Sequence, residues 1–372
     1  MSTGGPGGVL IAGGGTAGHL LPGLAVAQAL VEGGRDRATI HFVGAVRGPE
    51  SDLVPKAGFT VEVLPGRGIQ RRLTWANVRA VADLVQALFR GIMVVRRRRP
   101  AVVVVLGGYA SAACGIGAVL WRVPIVSLEQ NKKAGAVNRL LRWFTTAAAV
   151  SFEGTDLPRA TVTGNPLRPE IRHMAEHPEP AAARLALGLP ADRTVIGVFS
   201  GSLGSRRINE AVREVVERWA DRSDLAVRHV IGRRDFATYL QTAPHPPSSG
   251  MVYQVVEYED RVELLLDAAD LVVTRAGGTV FELMAAGLPA ILVPLPIATR
   301  DHQTANAEAV AATGGAVVVP DADLDGDRLE AELATLLADP DRLVRMRKAM
   351  RTAASIDAAD KVAAVIEDVV HG

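Results

Sequence analysis

The amino-acid sequence predicts an α/β fold, with two doubly wound parallel-sheet domains in one chain. Three observations indicate this. Short Val-rich runs alternate with runs of helical periodicity along the chain. Several of these Val-rich runs end in glycine-rich turns that lead directly into a helix. The chain has 372 residues, which is more than one typical hydrophobic core holds, so two domains are expected.

The composition is that of a soluble globular protein. Hydrophobic residues make up 48% and charged residues 22% of the chain, and the formal net charge of +1 gives no indication of nucleic-acid binding. The single cysteine, Cys114, permits no internal disulfide, which suits a reducing cytoplasm. Residues 1–18 lack the basic region of a secretory signal. Residues 101–121 carry no charge, but their glycines and Val-rich start indicate a strand, a turn and a helix rather than a membrane-spanning helix.

The first glycine loop, residues 13–19, lies between a strand predicted at residues 8–12 and a helix predicted at residues 22–30. Its sequence GGGTAGH matches the GxGxxG spacing of dinucleotide-binding loops. An NAD site also needs an acid after the next strand, whereas residues 44–46 are Gly-Ala-Val, which argues against NAD. His19 lies where the loop becomes a helix. It is a candidate functional side chain or, alternatively, a helix-start residue bonded to a carbonyl.

A basic segment with many apolar residues follows at residues 67–99. The apolar residues of its helical part recur at Val78, Val81, Val85, Leu88, Phe89 and Ile92. The arginines around them are Arg71, Arg72, Arg79, Arg90 and residues 96–99. One interpretation is a core-facing stripe with solvated arginines on the opposite face. The other is an exposed apolar patch that binds an anionic membrane surface or a polyprenyl diphosphate.

Two more strand-and-turn units complete the first half. A strand at residues 102–106 leads into a second glycine loop, and a strand at residues 124–128 ends in Glu-Gln-Asn before a helix at residues 134–144. Residues 162–169 are dense in turn-forming residues and mark a domain boundary. We therefore expect domains at residues 1–165 and 166–344, with a C-terminal helix at about 345–372 packing back on the first domain.

The second half of the chain repeats this alternation of strand, glycine loop and helix. A strand at residues 195–199 precedes the loop SGSLGS, residues 200–205, whose N–H and hydroxyl donors can surround a phosphate, although such loops are often simple turns. Strands at residues 226–231 and 251–256 follow. A strand at residues 271–274 then meets a glycine pair and a helix N-terminus, which is a favourable seat for phosphate.

The helix after this glycine pair carries the candidate Glu282. The spacing Thr279-x-x-Glu282 also matches a capping box, in which both side chains satisfy backbone donors. The next strand, predicted at residues 290–295, leads to Gln303 and Asn306. Because carboxyl ends of parallel strands share one edge of the sheet, these polar groups are expected to face one crevice.

One calcium-like pattern is rejected. Residues 321–332 match the spacing D-x-D-x-D-G-x5-E of an EF-hand loop. A strand-like run precedes the pattern where an EF-hand needs a helix, and Arg328 occupies a position that is usually apolar. We therefore predict an acidic helix start, which the helix dipole favours.

Taken together and in this order, several stretches resemble the MurG family of N-acetylglucosaminyltransferases. They are GGGTAGHLLPGLAVA, GGYAS, EQN with AGAVNR, TGNPLR, SGSLGS, RAGGTVFELMAAGLPAILVP and DHQTANA. The resemblance implies a GT-B architecture with two Rossmann-like domains facing a cleft. It implies inverting transfer from UDP-GlcNAc to the muramyl 4-hydroxyl of undecaprenyl-linked lipid I, giving lipid II for peptidoglycan. It also implies a peripheral enzyme on the anionic cytoplasmic face of the membrane.

The resemblance also implies roles for individual residues. On the donor side, Glu282 would bind the ribose hydroxyls and Glu259 would lie by the uracil. Gln303, with Asn306 behind it, would bind the GlcNAc hydroxyls. The diphosphate would meet Ser202, Gly277, Gly278 and Thr279, and the donor would also be lined by Thr16, Ala17, Gly18, Asn131 and Arg168. On the acceptor side, the diphosphate and the muramyl sugar of lipid I would be surrounded by the two glycine loops, residues 14–19 and 107–111, with Gly14, Gly15, His19, Gly107, Gly108, Tyr109 and Ser111 as the contact residues.

The chemistry of this reaction requires a base. His19 is the first candidate, because the unperturbed pKa of histidine is the closest to working pH, and Glu129 is the runner-up. Helix N-termini with Arg and hydroxyl donors can neutralise the departing UDP, so we expect neither a metal nor another cofactor. Two alternatives stay open. One is a related GT-B transferase or a UDP-sugar epimerase, and the other is a non-catalytic nucleotide-sugar binding protein.

Overall fold

The computed structural model describes residues 7–13, 15–46, 48–65, 75–201 and 203–372, and only the backbone of residues 17, 75–83 and 299. The chain divides into a first unit, Met1–Arg168 with Ser355–Gly372, and a second unit, Pro169–Ala354. Each unit is built around its own parallel sheet flanked by helices. The predicted fold class is therefore confirmed.

The sheet of the first unit has the order β3-β2-β1-β4-β5-β6-β7, with parallel pairing throughout. Its strands are β1 Val9–Ala12, β2 Ile40–Ala45, β3 Thr60–Leu64, β4 Val102–Val105, β5 Ile125–Glu129, β6 Ala147–Val150 and β7 Ala160–Val162. The central strands are buried along their whole length, because helices cover both faces. This explains why their sequences are continuous apolar runs.

The helices of the first unit are α1 Ala17–Glu32, α2 Glu50–Lys56, α3 Trp75–Arg98, α4 Gly108–Trp121, α5 Ala136–Leu141 and, at the C-terminus, α15 Ala358–His371. The last of these joins the core that contains β1 and α1 through Val362 and Ile366, both fully buried. A two-bond ion pair between Arg35 and Glu367, at 2.7 and 2.5 Å, attaches the same helix to the chain just after α1.

The second unit contains a sheet of order β10-β9-β8-β11-β12-β13, again parallel. Its strands are β8 Thr194–Phe199, β9 Leu225–Val230, β10 Val252–Val256, β11 Leu271–Thr274, β12 Ala290–Leu292 and β13 Ala316–Val318. Its helices are α6 Pro169–Glu176, α7 Pro180–Ala186, α8 Arg206–Arg218, α9 Phe236–Tyr239, α10 Val262–Ala268, α11 Thr279–Ala286, α12 His302–Ala311, α13 Gly326–Leu337 and α14 Pro340–Ala353.

Several element boundaries differ from the predicted ones. The first helix begins at Ala17 and contains Pro22 in its second turn, so proline does not mark the helix start here. The strand predicted at residues 290–295 ends at Leu292, where its pairing with β11 and β13 ends. Two strands were not predicted: β6 is rich in alanine, which gives no strand signal, and β7 is an exposed strand of only three residues.

The chain passes between the units at residues 168/169 and 354/355, compared with the expected 165/166 and 344/345. The second difference arises because the C-terminal helical tail is two helices rather than one. The first of them, α14, contributes Met346 to the core of the second unit, and the chain leaves that unit only after Ala353. The predicted acidic helix start is confirmed, because Asp325 caps α13 by accepting the N–H of Arg328 at 2.8 Å.

The amphipathic helix α3 packs against α4 through small residues. A Cβ added at Gly91 would lie 2.5 Å from Cβ of Ala113, so the two backbones are in close contact there. Of the two interpretations of the apolar residues in this segment, the core-facing one does not hold for Val85 and Phe89, which are 61% and 65% exposed, and the side chains of Val78 and Val81 lie outside the described part of the chain. Within the described ranges, none of the helices has the length and apolar composition required to cross a bilayer.

Candidate functional site

Each unit has one edge where open glycine loops meet polar side chains. In a doubly wound sheet, ligands bind beyond the carboxyl ends of the strands, at the point where the strand order reverses. That point lies between β1 and β4 in the first unit and between β8 and β11 in the second. The loops after these four strands carry most of the predicted site residues, so each unit presents a candidate ligand site.

In the first unit, the first glycine loop brings His19 to this edge. Oγ1 of Thr16 lies 3.1 Å from Nδ1 of His19. Nε2 of His19 lies 3.2 Å from the position that a Cβ would occupy at Gly107, so the glycine leaves room for the imidazole. Thr16, Gly15 and Gly18 are exposed and His19 is half-buried. The structure therefore brings His19 next to the second glycine loop, whereas Gly14 lies outside the described residues and Ala17 is described only by its backbone.

The second glycine loop has an unusual backbone. Gly107 and Gly108 have φ of +109° and +82°, a region that side chains with a Cβ rarely adopt. Tyr109 follows in the first turn of α4, and its hydroxyl donates to the carbonyl of Leu64 at 3.0 Å. Burial raises the pKa of Tyr109, and the negative charge of Glu50 raises it further, so the tyrosine remains a neutral donor.

Ser111 was predicted to contact the acceptor, and the structure contradicts this. Its side chain is fully buried. The hydroxyl accepts the N–H groups of Leu106 and Gly107 at 3.2 and 3.0 Å, and its single hydrogen is within reach of two carbonyls, those of Ala12 and Gly107. Ser111 therefore ties β1 to the second glycine loop and has no accessible atom for a ligand.

Glu129, the runner-up base, is also engaged. Its carboxylate is 3% exposed at the end of β5. Oε1 accepts the N–H and the side-chain amide of Asn131 at 3.0 and 3.1 Å. Oε2 accepts the N–H of Gly135 at 2.8 Å and the amide of Asn138 at 2.9 Å. Because two carboxylate oxygens offer about four acceptor positions, this geometry favours positioning of the Asn131 loop over proton abstraction.

Glu50 was missed by the sequence reasoning. It is 1% exposed although it opens α2, and its Oε1 accepts the N–H of Gly15 at 2.9 Å. A Cβ at Gly44 would lie 2.6 Å from Cβ and Cγ of Glu50, and a Cβ at Gly48 would overlap Oε2. In the sequence, Gly44 and Gly48 before the acidic Glu50 are therefore the feature that could have indicated a carboxylate against the first glycine loop.

In the second unit, the serine-glycine loop lies between β8 and α8. Ser205 caps α8 by accepting the N–H of Ile208 at 3.4 Å. Gly204 has φ of +73°, and a Cβ there would overlap the carbonyl oxygen of Ile231, so the loop rests directly on the end of β9. Ser202 lies outside the described residues.

Arg275 connects this loop to the glycine pair. Its guanidinium donates to Oγ of Ser205 at 2.6 Å and to the carbonyls of Val293 and Pro294 at 3.0 and 3.1 Å. It also forms an ion pair with Asp321 at 2.6 Å. One side chain therefore holds the loops after β8, β11 and β12 together and places a positive charge among them.

The glycine pair and Glu282 lie at the helix N-terminus as predicted, but the capping box is not formed. The N-cap residue of α11 is Gly278, and Thr279 already belongs to the helix. Gly277, Gly278, Thr279 and Glu282 are all half-buried. The capping box predicted from Thr279 and Glu282 is therefore not present in that form, because Thr279 is not the N-cap residue.

Gln303 faces the same loop. Its Oε1 accepts the N–H of Leu295 at 3.0 Å, and its Nε2 lies 3.8 Å from the position of a Cβ at Gly277. The turn before it is strained, because Arg300 and Asp301 have φ of +57° and +56° without being glycine. Strain of this kind concentrates at functional sites.

Asn306 and Glu259 do not present their polar groups to a ligand. Asn306 is fully buried and donates to the carbonyl of Ala276 at 3.2 Å, so it braces the loop before the glycine pair. Glu259 is 8% exposed and forms an ion pair with Arg228 at 2.7 Å. Arg168 is the last residue of the first unit.

A buried hydrogen-bond chain supports the serine-glycine loop. Asn209 donates its amide to the carbonyl of Ile231 at 3.1 Å, so its Oδ1 must accept from Nε2–H of His229, also at 3.1 Å. Nδ1 of His229 then accepts the hydroxyl of Tyr253 at 2.9 Å. Burial lowers the pKa of His229 to about 3, which agrees with a neutral imidazole that donates at one end and accepts at the other.

Known protein families match both halves of the chain. The glycosyltransferase family 28 N-terminal domain matches residues 9–150, and the glycosyltransferase family 28 C-terminal domain matches residues 195–362. A protein of Clavibacter sepedonicus is 39% identical over 363 residues, which cover 97% of this chain and 96% of that protein. A protein of Desulforudis audaxviator is 36% identical over 371 residues, which cover 96% and 97%. Both are named UDP-N-acetylglucosamine--N-acetylmuramyl-(pentapeptide) pyrophosphoryl-undecaprenol N-acetylglucosamine transferase.

Solved structures are similar over the same extent. MurG of Acinetobacter baumannii superposes with a TM-score of 0.77 at 25% identity, covering 98% of this chain and 100% of that chain. The UDP-GlcNAc 2-epimerase of Neisseria meningitidis, solved with UDP-GlcNAc, gives a TM-score of 0.69 at 13% identity and covers 97% and 99%. The second likeness concerns the fold alone.

Proposed function

The chain belongs to the MurG family of glycosyltransferases, and from this we propose how it carries out that family's reaction. It transfers N-acetylglucosamine from UDP-N-acetylglucosamine to N-acetylmuramyl-(pentapeptide) pyrophosphoryl-undecaprenol. The observation that carries this conclusion is the similarity to transferases of that name along nearly the whole chain, with both family 28 domains matched.

We assign UDP-GlcNAc to the second unit. The N-terminus of α11 supplies N–H donors and a partial positive charge, and Arg275, whose own charge is paired with Asp321, holds the loops around it. A diphosphate is the ligand that this combination favours. In this proposal Glu282 accepts two ribose hydroxyls, and Gln303, oriented by the N–H of Leu295, donates to the sugar hydroxyls.

We assign the acceptor to the first unit and the base role to His19. If Nδ1–H donates to Oγ1 of Thr16, Nε2 carries the lone pair and points to the open backbone of Gly107. The muramyl 4-hydroxyl attacks the anomeric carbon of GlcNAc, and the bond from that carbon to the diphosphate oxygen breaks. The hydroxyl proton passes to Nε2, and UDP leaves with the bonding electrons. Direct attack inverts the anomeric centre.

An exposed apolar patch in the first unit supports binding to a membrane. It consists of Val85, Phe89, Leu120, Trp121, Leu140, Trp143 and Phe144, all at least 45% exposed. These residues belong to α3, α4, α5 and the turn that follows α5, and α4 contacts both of the other helices. Isolated exposed apolar residues are common, but seven large ones on adjoining helices are the expected mark of an interaction surface.

Two arginines stack on tryptophans of this apolar patch. The guanidinium of Arg96 lies 5.1 Å above the ring of Trp121, and that of Arg142 lies 4.6 Å above the ring of Trp143. Arg–Trp pairs suit the headgroup region, where the indole enters the apolar boundary and the cation meets lipid phosphate. We infer that the first unit binds the anionic cytoplasmic membrane surface, which would place it beside an undecaprenyl-linked acceptor. Arg71 and Arg72 lie outside the described residues.

The direct test is a transfer assay. Purified protein is incubated with UDP-GlcNAc and a short-chain lipid I analogue, with and without a chelator, and the disaccharide product is measured by mass spectrometry. We expect product in both conditions. Formation of UDP-ManNAc without disaccharide would support the epimerase alternative. Binding of UDP-GlcNAc without any turnover would support a non-catalytic binding protein.

A further inference from the structure

A carboxylate lies where the first glycine loop would otherwise offer an amide to a phosphate. Glu50 begins α2, yet only 1% of it is exposed. The absence of side chains at Gly44 and Gly48 creates the space that its carboxyl group fills. An acid at a helix start is normally solvated, so this burial requires an explanation.

The two carboxylate oxygens have different surroundings. Oε1 accepts the N–H of Gly15 at 2.9 Å, which ties α2 to the loop between β1 and α1. Oε2 is buried and has no hydrogen-bond partner within the ranges that the structure describes. Leaving a buried carboxylate oxygen unpaired is unfavourable, so the gain from holding Gly15 and the loop is the compensating interaction.

This contact changes what the loop can bind. In glycine loops that bind phosphate, the N–H groups before the helix and the helix dipole attract the anion together. Here the Gly15 N–H is already used. The dipole contributes about half an elementary charge at the helix N-terminus, whereas an ionised carboxylate contributes a full opposite charge at hydrogen-bond distance from the loop. The charge at this position therefore opposes a phosphate.

We propose that Glu50 is a positioning and specificity residue of the acceptor site. It fixes the loop that carries Thr16 and His19, and it makes this loop a seat for the neutral, hydroxyl-bearing sugar of the acceptor rather than for its diphosphate. The proposal rests on the proposed function of the first unit. It also changes the expectation that residues 14–19 surround the diphosphate, since it assigns only the sugar to them.

The first test measures an anion directly. The full chain is labelled with 15N-glycine, saturated with UDP to occupy the donor site, and titrated with inorganic pyrophosphate while the Gly15 amide resonance is followed. Glu50→Gln keeps an oxygen that can accept the Gly15 N–H but removes the charge. We expect pyrophosphate to bind at Gly15 about tenfold more tightly in Glu50→Gln than in the wild type.

The matched control is Asp52→Asn on the same helix. Asp52 is exposed and pairs with Lys56 at 2.9 Å, so this variant removes one charge from α2 without touching the loop. Its titration should match the wild type. Equal pyrophosphate binding by wild type and Glu50→Gln would overturn the specificity role, and a gain in Asp52→Asn as large as in Glu50→Gln would reduce the effect to net charge.

The second test measures positioning. Glu50→Ala frees the Gly15 N–H, so turnover should fall by about tenfold or more while KM for UDP-GlcNAc stays unchanged. Glu50→Gln should recover part of that loss, because it still accepts the N–H. Wild-type turnover in Glu50→Ala would overturn the positioning role. If the wild type itself makes no disaccharide, the proposed function fails, while the pyrophosphate titration still decides the role of Glu50.

Discussion

The two units have the same central strand order but stabilise their ligand loops with groups of opposite charge. In the first unit, the carboxylate of Glu50 accepts the N–H of Gly15. In the second unit, the guanidinium of Arg275 donates to Ser205 and to two carbonyls and pairs with Asp321. Both groups bind backbone or side chains of the loops, and neither belongs to the glycine spacing itself.

This difference shows that a glycine loop does not define its ligand alone. The strand, the turn and the helix N-terminus supply similar N–H donors in both units. The ligand is then selected by the charge packed behind the loop. Under the proposed assignment, the carboxylate of Glu50 disfavours an anion in the first unit, whereas Arg275, already paired with Asp321, holds the loops that would bind a nucleoside diphosphate in the second unit.

The largest expected effect tests the first unit. His19→Ala should lower turnover by about 100- to 10,000-fold, the contribution of a positioned general base, and leave donor affinity nearly unchanged. The measurement is steady-state kinetics with a short-chain acceptor, combined with calorimetric binding of UDP-GlcNAc. Wild-type turnover should also decrease at acid pH as the imidazole is protonated, and this decrease should disappear in the variant.

His177→Ala is the matched control, because His177 is an exposed histidine of the second unit. It should behave as the wild type. If His19→Ala keeps more than about a third of wild-type turnover with the acid decrease intact, His19 is a structural helix-start residue. The proposed reaction would then need another base in the first unit. Glu129 is a poor substitute, because its carboxylate already accepts four hydrogen bonds.

The next effect tests the second unit. Glu282→Ala should weaken UDP-GlcNAc binding by about 2 to 3 kcal/mol, because two hydroxyl contacts to a charged acceptor are lost. Since no capping box is formed, the change in unfolding free energy should stay below about 1 kcal/mol. Glu263→Ala removes an acid from the first turn of α10 in the same unit and is the control for the helix dipole. Equal donor affinity in both variants would remove Glu282 from the site.

A smaller effect compares the buried histidines of the two units. Burial lowers the pKa of His229 from 6.5 to about 3, so the unfolded chain binds a proton that the folded one does not between these values. The free energy of unfolding should therefore fall as pH decreases from 6.5, by about 2 kcal/mol at pH 5 from this group. His229→Gln should flatten the dependence, as measured by urea unfolding at pH 7.5 and 5.

His41 in the first unit provides the comparison for this prediction. Its pKa is also lowered, first by burial and then by the charge of Arg98, so it should contribute acid sensitivity of the same sign. Its Nδ1 lies 2.7 Å from Oγ1 of Thr60, whereas Nε2 has no hydrogen-bond partner among the described residues. His41→Gln should flatten the curve less than His229→Gln. Equal slopes in wild type and His229→Gln would show that His229 does not stay neutral in the folded state.

The sequence predicted the sheets better than the contacts within the sites. Val-rich strands such as β4 were evident because a strand buried on both faces must be apolar throughout. The alanines of β6 gave no comparable signal, because alanine also has a high helix propensity. The predicted helix begins at Pro22, five residues after the observed start of α1 at Ala17, because proline is typical of a first helical position. The local spacing of residues therefore predicted which strands and helices exist. The residues at which they begin and end depend on contacts with other parts of the fold.

The same distinction between local spacing and distant contacts applies to the site residues. Glycines and polar residues after strands were predictable because the carboxyl ends of parallel strands share one edge. Whether a polar side chain faces a ligand or the protein interior depends on partners distant in sequence. Ser111 and Asn306 bind backbone carbonyls up to 99 residues away and are buried. Glu50 acts on a residue 35 positions earlier, a pairing that no local motif encodes.

The smallest expected effect concerns the surface that distinguishes the first unit. Arg96→Glu should weaken binding to vesicles containing anionic lipid by about 1 kcal/mol, because one basic residue near the headgroups contributes about this much. Arg345→Glu makes the same charge change on an exposed arginine of the second unit. Measured by vesicle sedimentation, that control should bind as the wild type does. An equal loss in both variants would mean that net charge, rather than the apolar patch, determines binding.

Salt separates the two contributions to this surface. In 1 M salt the Debye length shrinks to about 3 Å, so the difference between Arg96→Glu and wild type should nearly vanish. The contribution of the 72%-exposed Trp143 is apolar and does not depend on screening. Trp143→Ala should therefore weaken vesicle binding to a similar extent at low and high salt. If salt abolished the effect of both variants, the tryptophan would act only as a support for Arg142, whose guanidinium lies 4.6 Å above its ring.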